Sequence, residues 1–178
     1  MKKIVVFIMG ATNCGKTTLI NSLEEYYPVV VGKKLREMFP PEYFDGQAAP
    51  AKTDEIAFRL MVEGIDEAHQ LGKIPLIDGQ PRNQVQLGWC EANYFDNQLY
   101  DCKIMHLWAP RDIRVQRAEK RDKDDPSKLK LSMDRMDGDS IILYDLWLQL
   151  SMNYIDNMKV FNTSKEGYID DIRRFIKS

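Results

Sequence analysis

Paired cysteines, long apolar runs and an excess of either charge are all missing from this chain. The three cysteines (Cys14, Cys90 and Cys102) have no C-x-x-C spacing, so the sequence supports neither a zinc ribbon nor a disulfide framework. Unpaired thiols fit a reducing compartment, and a cytoplasmic location is expected. His69 lies on an expected helix and His106 in an expected strand. Neither has a partnered serine, cysteine or carboxylate motif, which leaves them as structural side chains. No apolar stretch approaches the length of a membrane span, and Ile4 to Met9 is too short for the core of a signal peptide. A net charge of −2 offers no broad cationic surface, so neither nucleic acid nor membrane is expected as a partner. Internal repeats and low-complexity tracts are absent as well. What remains is 178 residues with 44% hydrophobic content, the make-up of one α/β domain with room for a small insert. We expect a monomer.

Gly10-Ala11-Thr12-Asn13-Cys14-Gly15-Lys16-Thr17 reads G-x-x-x-x-G-K-T directly after the apolar run Ile4-Val5-Val6-Phe7-Ile8-Met9. A strand feeding a glycine-rich loop and then a helix (Thr17-Thr18-Leu19-Ile20) is the context that makes this pattern a phosphate site. Glycines let backbone N–H groups curl around an anion, and the helix start adds unpaired N–H groups. Gly10, Asn13, Cys14, Gly15, Lys16, Thr17 and Thr18 are therefore expected to hold a nucleoside triphosphate such as ATP. Lys16 would reach its terminal phosphates, and the Thr17 hydroxyl suits Mg²⁺. Cys14, near a helix start, is expected to be oxidisable.

Short apolar runs predict strands at Lys3–Met9, Pro28–Val31, Ile74–Ile77, Lys103–Trp108 and Met158–Phe161. Helical patterns fall between them: Lys16–Tyr27, Thr53–Leu71 (capped by Thr53 and stopped by Gly72), Gln84–Asn97, Arg111–Arg121, about Ser132 to Ile155, and Lys165–Lys177. This alternation implies a three-layer α/β sandwich with right-handed crossovers. Phe39–Lys52, with Pro40, Pro41, Gly46 and Pro50, reads as a loop within a helical insert. Glu119–Lys130 is charged at nine of twelve positions and interrupted by Pro126. Trp89, Trp108 and Trp147 are expected to pack rather than bind bases.

Ile77-Asp78-Gly79-Gln80-Pro81-Arg82, followed by Gln86, forms a second array. A strand ending in Asp78 sets a carboxylate beside Mg²⁺ and its waters, and Arg82 can bring a donor fork suited to phosphate into the same cleft. Together with Gly32-Lys33-Lys34-Leu35-Arg36, the two arrays resemble those of adenylate kinases and related nucleoside monophosphate kinases. The resemblance covers the whole chain in element order, and is motif-specific in those three places and more weakly across Arg117–Arg135.

The resemblance implies a P-loop fold with a parallel five-stranded sheet. A helical monophosphate-binding insert would span about residues 29–72, and a short lid about 117–135, within a single kinase domain over 1–178. It implies Mg²⁺-dependent transfer of the γ-phosphoryl group of ATP to a nucleoside monophosphate. Lys16 and the loop amides would hold ATP; Arg36 and Arg82 would grip the acceptor phosphate. Asp78 and Gly79 would line the acceptor side, and Gln86 would face the base. Arg117, Arg121 and Arg135 would approach the transferring group from the lid. The family's Arg-x-Asp-Asp lid signature is only half present, since Lys123 precedes Asp124-Asp125. Gln80 replaces a usual aromatic, and Val31-Gly32-Lys33 replaces Thr-Gly-Asp. Two other readings use the same loop: a kinase of a nucleoside or other hydroxylated metabolite, and a nucleotide-binding ATPase or regulatory module.

Overall fold

A computed structural model describes residues 2–39 and 51–178. β1 (Lys3–Met9) is the middle of the molecule: Val5 through Ile8 have no exposed surface, so both faces of the strand are covered. That double burial explains its unbroken apolar run. Alternate residues serve different layers. Val5 and Phe7 pack towards α2 (Val31–Met38), α3 (Ala51–Gln70) and the helix starting at α4 (Gln84–Cys90). Val6 and Ile8 pack towards α1 (Lys16–Asn21) and α7 (Tyr168–Lys177).

The sheet contains β2 (Tyr27–Val29), β3 (Pro75–Asp78), β4 (Tyr100–Trp108) and β5 (Met158–Asn162) beside β1, in the order β2-β3-β1-β4-β5. Every pairing is parallel. The expected three-layer α/β fold with a five-stranded parallel sheet is present. Its consequence is positional, because all five strands end on one edge, where ligands of open α/β sheets collect.

Several boundaries differ from the sequence expectation. α1 stops at Asn21 rather than Tyr27: the Ser22 hydroxyl turns back to the Thr18 carbonyl at 2.8 Å, and Pro28 holds Tyr27 extended. β2 ends at Val29, and Val31 opens α2 instead of closing the strand. Thr53 is not a cap: it lies inside α3, which already runs at Ala51, and is buried. Residues 40–50 of the expected Phe39–Lys52 loop lie outside the described residues. β4 begins three residues early because it pairs with all of β1, from Lys3 opposite Tyr100 to Met9 opposite His106.

The largest departure is in the charged run. Pro126 does not interrupt the run; it opens α6 (Pro126–Asn153), where its missing N–H costs nothing. Asp125 caps that helix by accepting from Lys128 N–H at 3.0 Å. α5 (Arg111–Asp122) reaches the same turn, so the charged run forms a helical elbow. α4 continues as a π-helical turn (Glu91–Phe95), and α7 begins at Tyr168 after Gly167 instead of at Lys165.

Candidate active site

The loop after β1 cannot be made from other residues. Gly10 has φ +141°, and a Cβ there would stand 2.5 Å from the Leu107 carbonyl oxygen and 2.6 Å from Cys14 Sγ. Lys16 folds over the loop, donating from Nζ to the Gly10 carbonyl at 2.5 Å and to the Ala11 carbonyl at 3.1 Å. Those carbonyls keep the ammonium group against the loop, while Thr17 and Thr18 stay exposed in the first turn of α1. The Cys14 thiol is 1% exposed beneath the loop, which corrects the expectation of an oxidisable cysteine: solvent does not reach it.

α5 buttresses this loop from outside. Arg117 donates to the Asn13 carbonyl (3.2 Å), the Thr163 hydroxyl (3.0 Å) and the Thr163 carbonyl (2.8 Å), tying the loop to the end of β5. The Thr163 hydroxyl in turn donates to the Cys14 carbonyl at 2.6 Å. Arg121 donates to Asn13 Oδ1 at 2.8 Å, which turns the Asn13 amide nitrogen inward, where it is buried without a partner. Arg121 also forms a fork with Asp122 at 2.8 and 2.6 Å, and the Ser132 hydroxyl of α6 joins the same carboxylate at 2.8 Å. Arg121, with the Ser132 hydroxyl, holds the Asp122 carboxyl down at about 2.

α6 reaches the loop as well. Asp139 Oδ2 accepts from the Thr12 N–H at 3.1 Å and the Thr12 hydroxyl at 2.5 Å, across 127 residues of sequence.

On the acceptor side, Gly79 (φ +69°) lets Arg82 fold closely over it, with Arg82 Nε donating to the Gly79 carbonyl at 2.8 Å. A Cβ at Gly79 would come within 2.8 Å of that guanidinium. Arg36, at the end of α2, lies in the field of Arg82, Arg135 and Asp78. Partial desolvation and the positive charges of Arg82 and Arg135 lower its pKa, against the opposing pull of Asp78 and Glu37. Arg36 on α2 and Arg82 in the β3–α4 turn thus line one cavity, with the charges of Arg135 and Asp78 felt at Arg36.

Asp78 Oδ1 is buried with no hydrogen-bond partner among the described residues. An orphaned carboxylate oxygen at the end of β3 fits a cation or its bound water. Thr17, the other expected ligand, has its side chain open to solvent. Among the described residues there is no cluster of three or more His, Cys, Asp or Glu side chains for a metal. Mg²⁺ does not require one, since it keeps several waters and takes one or two protein ligands plus phosphates.

Two hollows follow from this layout. One of about 130 Å³ lies between the loop and the β3–α4 turn, lined by Met9, Gly10, Gly79, Arg82, Asp139 and Leu143. The other, about 220 Å³, opens beside Arg36 and Arg82 and is lined also by Leu35, Asp54, Gln80 and Gln86. Gln86 is 6% exposed; its Oε1 accepts from Arg82 N–H at 2.7 Å and its Nε2 donates to Asp54 at 2.6 Å.

A third hollow of about 250 Å³ lies between the loop, β4 and α6, with His106, Trp108 and Trp147 in its wall. Trp147 approaches His106 (ring centroids 6.4 Å apart) and Trp89 packs on Phe58 (5.3 Å), as expected. Trp108 does not pack away; it is 47% exposed at the end of β4. His69 Nε2 donates to the Ile4 carbonyl (3.1 Å), a structural role.

Sequence reasoning passed over Asp54, Asp139 and Thr163. Thr163 follows β5 directly and was findable from strand-end position alone. Asp54 and Asp139 sit within helices, and only tertiary packing turns them towards the site.

A parallel five-stranded sheet with this loop at its carboxyl edge defines a P-loop nucleotide-binding protein. The sequence model of the AAA domain family matches residues 6–139, well over half of the chain, and the chain belongs to that family. It thus stands among P-loop nucleotide-binding kinases and ATPases. No curated protein matches it. Among the described residues, no helix is long and apolar enough to cross a membrane.

Proposed function

We propose that the protein is a nucleoside monophosphate kinase, transferring the γ-phosphoryl group of ATP to the phosphate of a nucleoside monophosphate. The observation that carries this reading is that Arg36 and Arg82 line one cavity, while Arg82 also lines the hollow beside the loop. Two like charges lining one cavity repel unless an anion lies between them, and a phosphate dianion is an acceptor group that satisfies both donor forks. An ATPase needs no such second anion site.

In the transfer, the bond from the γ-phosphorus to the β,γ-bridging oxygen breaks and an acceptor phosphate oxygen bonds to the same phosphorus, giving two diphosphates. The acceptor attacks as an oxyanion, so no general base is required. The chain's part is positioning and charge cancellation. Lys16 exchanges its loop carbonyls for the terminal phosphates of ATP. Arg82, set between the two hollows, bridges the transferring and accepting phosphates, while Arg36 and Arg135 fix the acceptor. Arg117 and Arg121 act through the loop, which they hold in shape by way of Asn13. Mg²⁺, held by Thr17 and through water by Asp78, would neutralise phosphate charge when bound.

A second reading has support from Asp139, a carboxylate in the hollow between loop and Arg82. A kinase acting on a hydroxyl would use such a group as a general base. The two are separated by an ATP-dependent transfer assay across ribo- and deoxyribonucleoside monophosphates, with the nucleosides as controls. Diphosphate formed from monophosphates, with nucleosides inert, is the expected result. Preferential phosphorylation of a nucleoside would replace the proposal with the hydroxyl kinase.

A further inference from the structure

α6 changes character along its length. Its first half carries Lys128, Lys130, Asp134, Arg135 and Asp139, as suits a helix that meets solvent and the loop. From Leu143 to Ile155 the only charged residue is Asp145. The inner side of that stretch is accounted for: Leu146 and Leu150 are buried in one cluster with Met9 and Ile104 of the sheet, and Leu143 and Tyr154 pack beside them. The outer side is apolar too. Tyr144, Leu148 and Met152, spaced by four, are between 43% and 76% exposed. A helix that is apolar on both sides is ordinarily covered on both.

The stripe continues onto the sheet. Tyr144 and Trp147 share a hollow with Trp108 and His106 at the end of β4. Parallel register sets Val160 of β5 beside His106 on the same face, and both Trp108 and Val160 are exposed. Ile155, just past α6, is exposed beyond Met152. With Tyr144, Leu148 and Met152 these side chains leave roughly 600 Å² in one patch, the top of the range for the largest apolar patch of a monomer. No described element covers it. Residues 40–50 join α2 to α3, which pack at the β2 edge of the sheet, whereas the patch is at the β5 edge.

The stripe is also complementary to itself. In an antiparallel pairing of two α6 helices about a twofold axis at Leu148, Leu148 meets its own copy and Tyr144 meets Met152 of the partner, twice by symmetry. A thioether sulfur against an aromatic ring is a favourable contact. Asp145 falls opposite Ser151, so the pairing sets no like charges against each other. Two copies would bury about 1,200 Å², the lower end of a specific interface. A membrane surface is a poorer match, because helices that lie on lipid are bordered by lysine and arginine, and Leu143 to Ile155 has neither. We infer that the second half of α6, with Trp108 and Val160, is the contact face of a twofold dimer of this chain, in place of the monomer expected from the sequence.

Sedimentation of the full chain tests this. The native protein should run at twice the 20.7 kDa chain mass at ~10 µM. Tyr144→Lys and Met152→Glu each put a charge into the apolar contact and should weaken the dimer about tenfold or more. Both positions are exposed in the single chain, so the circular-dichroism spectrum should not change. Combined in one chain, the two substitutions set opposite charges across the twofold axis and should restore the dimer, a rescue that loss of folding cannot imitate. A native chain still monomeric at ~100 µM, single variants as dimeric as the native protein, or a double variant no more dimeric than the singles would overturn the inference. So would a monomer that floats with phosphatidylcholine vesicles, which would give the patch to a membrane surface.

Discussion

His106 is a strand histidine, as expected, and its ring is largely withdrawn from solvent. It lies in β4 opposite Met9, the residue directly before the phosphate loop, and its Nδ1 is buried without a partner among the described residues. Burial, helped by the positive charge of Lys16, pushes its pKa down to about 4. The folded protein thus keeps the imidazole neutral at pH values where the unfolded chain protonates it. The unfolded value is about 6.5. Its contribution is complete above that pH, declines as pH falls towards 4, and declines no further below. Linkage for one proton gives a slope of up to about 1.4 kcal/mol per pH unit in that window. Urea midpoints measured from pH 7 to 4.5 should fall more steeply for the native protein than for His106→Gln. Parallel curves would mean that the imidazole is not desolvated.

At the scale of elements, two contacts decide how the site is assembled. The first is α3 on β2, where Gly64 approaches so closely that a Cβ would stand 2.6 Å from Val29 Cγ1. Val29 is buried and stiff at χ1, so it cannot turn away. Gly64→Ala gains about 1 kcal/mol of helix propensity and loses about 1–3 kcal/mol to overpacking, so the net change is destabilising. Gly88 on α4, with no atom near its would-be Cβ, is the control, and Gly88→Ala should stabilise by up to about 1 kcal/mol. Thermal melts of the two variants should move in opposite directions; a stabilised Gly64→Ala would contradict the packing.

The second contact is the elbow of α5 and α6, which grips the loop through Arg117, Arg121 and Asp139. Asp122 stays ionised at neutral pH, so the Arg121 fork persists until pH falls below about 4 and opens towards 2. Asp139→Ala removes two bonds to Thr12, and one charge-assisted bond is worth about 1.5–3 kcal/mol. Hydrogen exchange at Thr12 and over residues 126–139 should quicken in that variant without change in β1. With a ligand joining donor and acceptor nucleotides through their phosphates, the elbow should exchange more slowly than in the free protein. Indifference of residues 119–130 to that ligand would make the elbow a fixed surface element.

For the whole molecule, a single edge collects the chemistry: Gly10 follows β1, Arg36 rides the helix after β2, Asp78 ends β3, the elbow follows β4 and Thr163 follows β5. Much of this was legible in the sequence, because a buried parallel strand leaves an apolar run and a phosphate loop leaves fixed glycines. Arg36, Arg82 and Arg135 were nameable through the family resemblance, Arg82 also from its place after Asp78, and Arg36 and Arg82 line one cavity. The elbow was not legible, since a charged run with a proline looks the same whether the proline breaks a loop or opens a helix. Asp54 and Asp139 were hidden for another reason: each lies in a helix whose direction towards the site is decided by packing against distant segments.

The central claim is that a second phosphate, separate from those of ATP, is held between Arg36 and Arg82. Steady-state kinetics of Arg36→Ala and Arg82→Ala, with acceptor monophosphate and ATP varied independently, test it most directly. Losing one charge-assisted contact of about 1.5–3 kcal/mol corresponds to roughly tenfold to a hundredfold in affinity. Both variants should therefore show an acceptor KM raised at least tenfold, with kcat also lowered in Arg82→Ala and the KM for ATP within about twofold of the native value. Unchanged acceptor KM in both variants, or an equal rise in the KM for ATP, would contradict the account.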